Sequence, residues 1–216
     1  MSLDDEDWVH PAWRGKAKVD DSSKGLKFTN IGLVMSWMVK LKFRKDESEM
    51  DGSGFFVDIP NAKYDVIFTV AHNLVSQTGN PAKDIRAYNT GYFRKEGYTV
   101  PSEDVIWCED YVRKPIPETD YGFIRIHKST KPRGFGFGFS IKLAYEDFFR
   151  GEVHVTGFQD KSEEQPVTST GRSGTCSKQV VTYYAITEPG ISGSAVWIAY
   201  KSSPFVVAIQ YAIFYP

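Results

Sequence analysis

Glu188-Pro189-Gly190-Ile191-Ser192-Gly193-Ser194-Ala195 is the stretch on which the reading of this chain turns. It sets a serine among glycines, and a glycine lets backbone N–H groups come close to a ligand because it has no Cβ. Alone, Gly190-Ile191-Ser192-Gly193 reads as a tight turn. A serine hydroxyl is a weak nucleophile at its free pKa and needs an adjacent base. Two upstream segments offer the missing parts. Phe68-Thr69-Val70-Ala71-His72-Asn73 puts a histidine just after an apolar run, and Thr119-Asp120-Tyr121-Gly122-Phe123-Ile124 opens another apolar run with an acid. Histidine titrates near neutral pH, so it can take a proton and return it to a leaving group. A buried carboxylate fixes the imidazole tautomer and stabilises the imidazolium that forms. The order is His72, Asp120, Ser192, with spacings of 120 − 72 = 48 and 192 − 120 = 72 residues.

The segments between these points read as strands. Val39, Leu41 and Phe43 alternate with Lys40, Lys42 and Arg44, the period of a half-buried strand, and Lys45–Glu49 turns the chain. Gly54–Val57 and Val66–Val70 form a strand pair around a Pro60-Asn61 turn. Further strands are expected at Val105–Trp107, Tyr121–Ile126, Phe135–Phe139, Val153–Phe158, Gln179–Ile186, Ala195–Tyr200 and Phe205–Phe214. Leu143–Arg150 reads as a short helix, and Thr168–Ser177, rich in Ser, Thr and Gly, as a loop that carries Cys176. Many short strands with turn signals at this spacing predict an all-β antiparallel sandwich or double barrel. The 15 Phe, 12 Tyr and 5 Trp suit such a core.

Several of these residues also match a known pattern. Gly52-Ser53-Gly54-Phe55, Thr69-Val70-Ala71-His72, Asp120-Tyr121-Gly122-Phe123-Ile124, Val155-Thr156-Gly157-Phe158 and Gly190-Ile191-Ser192-Gly193-Ser194-Ala195 together resemble the chymotrypsin-fold (trypsin-like) serine peptidases. The branch they resemble most is the glutamyl endopeptidase-like one, over Gly52 to Ile209. The resemblance implies two antiparallel six-stranded β-barrels with the active site in the cleft between them. The first barrel would span about 25–127 and the second about 134–216, after a polar arm at 1–24. It implies a serine endopeptidase that works through an acyl-enzyme, with His72 as base, Asp120 as its orienter and Ser192 as nucleophile. The amides of Gly190 and Ser192 would form the oxyanion hole. Ile186, Thr187 and Gln210 would line the primary specificity pocket, and Tyr211-Ala212-Ile213 would pair with substrate backbone by strand addition.

The chain departs from that family at identifiable places. Ala195 stands for a usual proline. Ile191 replaces the acid that pairs with a freed N-terminus in zymogen-activated relatives, so that route of activation is not expected. Gln210 replaces the histidine that binds a substrate glutamate, so a neutral residue before the scissile bond is expected. The chain ends at Pro216, where relatives supply a further strand and a helix. That leaves either a fragment of a larger protein or a second barrel completed differently. A second functional reading follows: a catalytically silent peptidase homologue that binds peptide or a partner protein, as one domain of a larger chain.

Composition narrows the alternatives. The chain has 216 residues, and all-β domains reach about 200–250 residues as one unit. A net charge of −1, from 26 basic and 27 acidic residues, gives no electrostatic case for nucleic acid or an anionic membrane. No apolar run is long enough to span a bilayer. The start, Met1-Ser2-Leu3-Asp4-Asp5-Glu6-Asp7, has no apolar signal region. A cytoplasmic protein is expected, or a secreted one whose leader has been removed. His10, His127 and His154 lack metal-ligand spacing, so neither metal nor cofactor is expected. Gly134–Phe139, with its spaced glycines, lacks the strand-turn-helix context of a dinucleotide site. Two cysteines, Cys108 and Cys176, make at most one disulfide and are expected to be free thiols.

Overall fold

The computed structural model describes residues 31–89, 93, 96–127, 135–139, 152–159, 165–176, 180–200 and 203–211. The polar arm at 1–24, the helix expected at Leu143–Arg150 and the C-terminal residues 212–216 lie outside the described residues.

A short helix not expected from the sequence, α1 (Ile31–Trp37), leads in and buries Val34 and Trp37, one turn apart. It runs directly into β1 (Met38–Lys45). A two-residue turn joins β1 to β2 (Ser48–Val57), in register from Lys45↔Ser48 to Met38↔Phe55. Asp46 and Asn61 both sit at positive φ, and so does Glu47 beside Asp46. Two successive left-handed residues give a hairpin turn whose twist matches that of the flanking strands. The alternation of β1 holds with one change. Lys40 is buried rather than solvated, because Asp51 on β2 meets its ammonium at 2.9 Å.

The chain continues through β3 (Tyr64–Thr69), the single-turn helix α2 (Ala71–Leu74), β4 (Lys83–Tyr88), β5 (Tyr98–Thr99) and β6 (Val105–Trp107). A second single-turn helix, α3 (Asp110–Arg113), and a 3₁₀ turn at Pro117–Thr119 precede β7 (Gly122–His127). These strands form one antiparallel sheet in the order β5-β4-β1-β2-β3-β7-β6. Val39, Leu41, Phe56, Ile67, Leu74 and Ile124 fill its core with no exposed surface. Fully burying one such side chain contributes roughly 1.5–3 kcal/mol.

The second sheet holds β8 (Glu152–Gly157), β9 (Val167–Cys176), β10 (Val181–Tyr184), β11 (Ala195–Tyr200) and β12 (Ser203–Ile209), in the order β10-β9-β8-β11-β12. The protein is thus all-β, with two antiparallel sheets whose described strands divide seven and five rather than six and six. Over its described residues, Thr168–Cys176, the expected loop is strand β9, paired with β8 and β10. Its glycine content has a physical reason: a Cβ on Gly171 would run into the Tyr184 carbonyl of β10. Phe135–Phe139 is not a full strand. It makes two isolated parallel bridges, Val57↔Phe137 and Gly138↔Phe205, one to each sheet.

Those bridges mark the seam between the halves. A core there draws Val34, Trp37, Met38, Phe55 and Val57 from the first half and Phe137, Phe158, Ala195 and Trp197 from the second. Phe137 is the hub, with ring centroids 5.1 Å from Trp37, 5.6 Å from Phe55 and 6.3 Å from Trp197.

Candidate active site

His72 lies on α2, directly after β3. The other three residues of α2 are buried, so the turn is fastened by its neighbours and the His72 side chain alone keeps some surface, 26% exposed. The 3₁₀ turn at Pro117–Thr119 delivers Asp120, whose side chain is wholly buried. Asp120 meets His72 twice. Its Oδ1 accepts the His72 backbone N–H at 2.8 Å, and its Oδ2 faces ring Nδ1 at 2.6 Å. A carboxylate can only accept, so Nδ1 carries the hydrogen and Nε2 of the neutral ring is left as the acceptor.

Ser192 sits in the loop before β11, on the other half of the molecule. That loop is held by a polar network anchored in the first half. The Ser53 amide on β2 donates to the Ser192 carbonyl at 2.9 Å, and Asn73 Nδ2, next to His72, donates to the same oxygen at 3.2 Å. Ser53 Oγ accepts the Phe158 amide at 2.8 Å and donates to the Gly190 carbonyl at 3.1 Å. Thr69 Oγ1 donates to the Ser53 carbonyl at 2.7 Å and accepts from Asn73 Nδ2 at 3.0 Å. From the far side, Gly193 N–H donates to the Gln210 carbonyl at 2.8 Å and Gln210 N–H to the Ser194 carbonyl at 2.9 Å. Each bond contributes only about 0.5–1.5 kcal/mol net, but a buried polar group without a partner costs about 1–3. The network therefore fixes one loop geometry. Gly190 and Gly193 take φ of 89° and 87°, conformations that a side chain disfavours. Within this loop the amides of Ile191, Gly193 and Ser194 donate to carbonyls, whereas those of Gly190 and Ser192 donate to none among the described residues.

The remaining predicted residues are placed unevenly. Tyr211 stands beside the histidine, with ring centroids 6.2 Å apart and nearly perpendicular. Gln210 is buried, Thr187 half-buried and Ile186 83% exposed. Ala212 and Ile213 lie outside the described residues. Ile191 is buried against Val153, Val155 and Val196 in the second sheet's core. His154 is no part of this cluster: its ring stacks on Trp197 at 4.3 Å and its Nδ1 lies 2.9 Å from Thr170 Oγ1. Cys108 is a free thiol. Among the described residues no group of His, Cys, Asp and Glu could hold a metal ion, and no helix is long and apolar enough to cross a membrane.

The sequence named Ser53 and Thr69 only as parts of matching segments and Asn73 only as the residue after His72, and assigned no role to Lys45 or Tyr111. Lys45 Nζ donates to the His72 carbonyl at 2.6 Å. Burial lowers its pKa, against the opposing pull of Asp46 and Asp120. Tyr111 on α3 is buried, and its phenol is pushed up to about 12, first by burial and then by the charges of Asp120 and Tyr211.

No family model matches the sequence, and no curated protein does. Solved structures do match its fold. A thermostable serine protease, AL20, from an extremophilic microorganism superposes with a TM-score of 0.64 at 11% identity, over 85% of this chain and 88% of that one. A Glu endopeptidase gives 0.61 at 14% identity, over 83% and 80% of the two chains. The protease Anisep from Arthrobacter nicotinovorans gives 0.60 at 15% identity, over 84% and 86%. At such identities the likeness is one of fold, and the fold of this chain is that of the chymotrypsin-like serine proteases.

Proposed function

We propose that the protein is a serine endopeptidase in which His72, Asp120 and Ser192 form the catalytic triad. The observation that carries this reading is the two-point contact of Asp120 with His72, made against a Ser192 loop tied to Asn73 next door. His72 Nε2 takes the Ser192 hydroxyl proton as the oxygen attacks the substrate carbonyl. Asp120 holds the ring and stabilises the imidazolium. The proton then passes to the leaving amine, and water repeats the sequence on the acyl-enzyme. The amides of Gly190 and Ser192, which donate to no other described group, stabilise the oxyanion, where one such donor contributes about 100–1000-fold in rate. Tyr211 and Thr187 flank the bound peptide.

Reaction of the full chain with a fluorophosphonate, located by peptide mass spectrometry, tests the reading. A single adduct on Ser192, lost in Ser192→Ala and His72→Ala, is the expected result. No adduct, or one that survives Ser192→Ala, would remove the catalytic assignment.

A further inference from the structure

Lys45 is the last residue of β1, and it occupies an unexpected row. Alternate residues of a strand share a face. Lys45 therefore continues the row of Val39, Leu41 and Phe43, all buried in the first core, and not the row of Lys42 and Arg44, which are exposed. An aliphatic residue would complete this row at no electrostatic cost. A lysine there must desolvate its ammonium, which is unfavourable unless the charge finds partners. Its charge partners are Asp46, next in the chain, and then Asp120, and its ammonium donates to the His72 carbonyl of the candidate active site at 2.6 Å.

We propose that Lys45 is a positioning residue for the His72–Asp120 pair, clamping the His72 main chain at its carbonyl while Asp120 holds the amide; the role of that pair rests on the function proposed above. The clamp is two-sided. The His72 amide is held by Asp120 Oδ1 and the His72 carbonyl by Lys45 Nζ, so two side chains from different elements fix one backbone unit. The ring can then turn only about its own side-chain bonds.

The test compares wild type, Lys45→Met, Lys45→Gln and Lys45→Arg in the full chain. The carbon chemical shift of the His72 carbonyl, which reports a hydrogen bond to that oxygen, is followed by NMR, and fluorophosphonate labelling of Ser192 is timed in parallel. In the Met variant the carbonyl shift should move as the bond from Lys45 is lost, and the labelling rate should fall about tenfold. Arg should restore the carbonyl shift and most of the rate. If Lys45→Met does not fold, Lys45→Gln, whose amide ends one bond short of the lysine Nζ, carries the same expectation. A carbonyl shift unchanged in the Met and Gln variants, or changed equally in the Arg variant, overturns the proposal. A moved carbonyl shift with no labelling of wild type supports the Lys45–His72 clamp and removes the peptidase reading. Labelling with an unmoved carbonyl shift does the reverse.

Discussion

Asp120 holds His72 by both its main chain and its ring, at 2.8 Å and 2.6 Å, from a side chain with no exposed surface. A carboxylate is needed for both contacts at once, because each oxygen accepts. In Asp120→Asn the amide retains one acceptor oxygen and presents N–H₂ to the other position. If the oxygen stays on the backbone amide, the ring must accept at Nδ1 and carry its hydrogen on Nε2, the wrong tautomer for a base. The fold should survive while turnover falls about 10⁴-fold, the loss known for this change in such triads. Single-turnover kinetics on a peptide ester, with thermal unfolding as the control, checks it. Activity within about tenfold of wild type would rule Asp120 out as orienter.

Two neighbours of Ser192 should respond in opposite senses. A Cβ on Gly193 would meet the Ser53 carbonyl and Thr69 Oγ1, and φ there is 87°. Gly193→Ala should cost about 3 kcal/mol or more and abolish labelling. Ser194 is wholly buried, and its Oγ has no hydrogen-bond partner among the described residues. Removing an unpaired buried hydroxyl relieves its desolvation cost. Ser194→Ala should therefore stabilise the protein, by up to about 1–2 kcal/mol, with labelling unchanged. Urea unfolding measures both, and a destabilised Ser194→Ala would show that the hydroxyl is bonded after all.

Tyr111 sets an alkaline limit. Its phenol is pushed up to about 12, while in the unfolded chain it titrates near the ordinary value of about 10. Between about pH 10 and about pH 12 the folded state keeps a proton that the unfolded state has lost, so stability falls as pH rises. Below about pH 10 this contribution is fully present. Tyr183, raised by burial alone, acts in the same direction. Urea midpoints followed from neutral pH to about pH 11 should decline, and Tyr111→Phe should flatten the decline. An equal slope in the variant would show that Tyr111 is not linked to folding.

Substrate preference should be neutral at the residue before the scissile bond. A buried substrate carboxylate needs charged or strong donors. Gln210 is buried and uncharged, and Thr187 offers one hydroxyl. Matched peptides that differ only in Glu or Gln at that residue should separate by less than about 100-fold in kcat/KM, near 2.7 kcal/mol. A larger preference for Glu would require a cation in the pocket.

The candidates His72, Asp120 and Ser192 stood out because local sequence marks them: a histidine after an apolar strand, an acid before one, a serine among glycines; the structure sets Asp120 against His72. The strands of the first core were legible for the same reason, since Val39, Leu41 and Phe43 write their own period. What was hidden depends on partners distant in the chain. Helix α1 is a short apolar run with neither an acidic first turn nor a basic last one, and only its packing of Val34 and Trp37 marks it. Strand β9 looks like a loop because its glycines answer to a neighbouring backbone. In β4 only Ile85 and Ala87 are buried, too few to set a period. Ser53, Asn73 and Lys45 are ordinary residues by type, and topology alone gives each its partner.

The tie between Ser53 and Ser192 has a consequence for biosynthesis. The two strands that frame the site are made far apart in time, and neither sheet contains the whole constellation. Contacts this distant in sequence close late, because their loop entropy must be met before they stabilise anything. Under the proposed function, a chain still leaving the ribosome carries His72 and Asp120 before Ser192 has been made. Cutting power would then wait until the Ser192 loop has docked on Ser53, and the nascent segment would be spared its own chemistry.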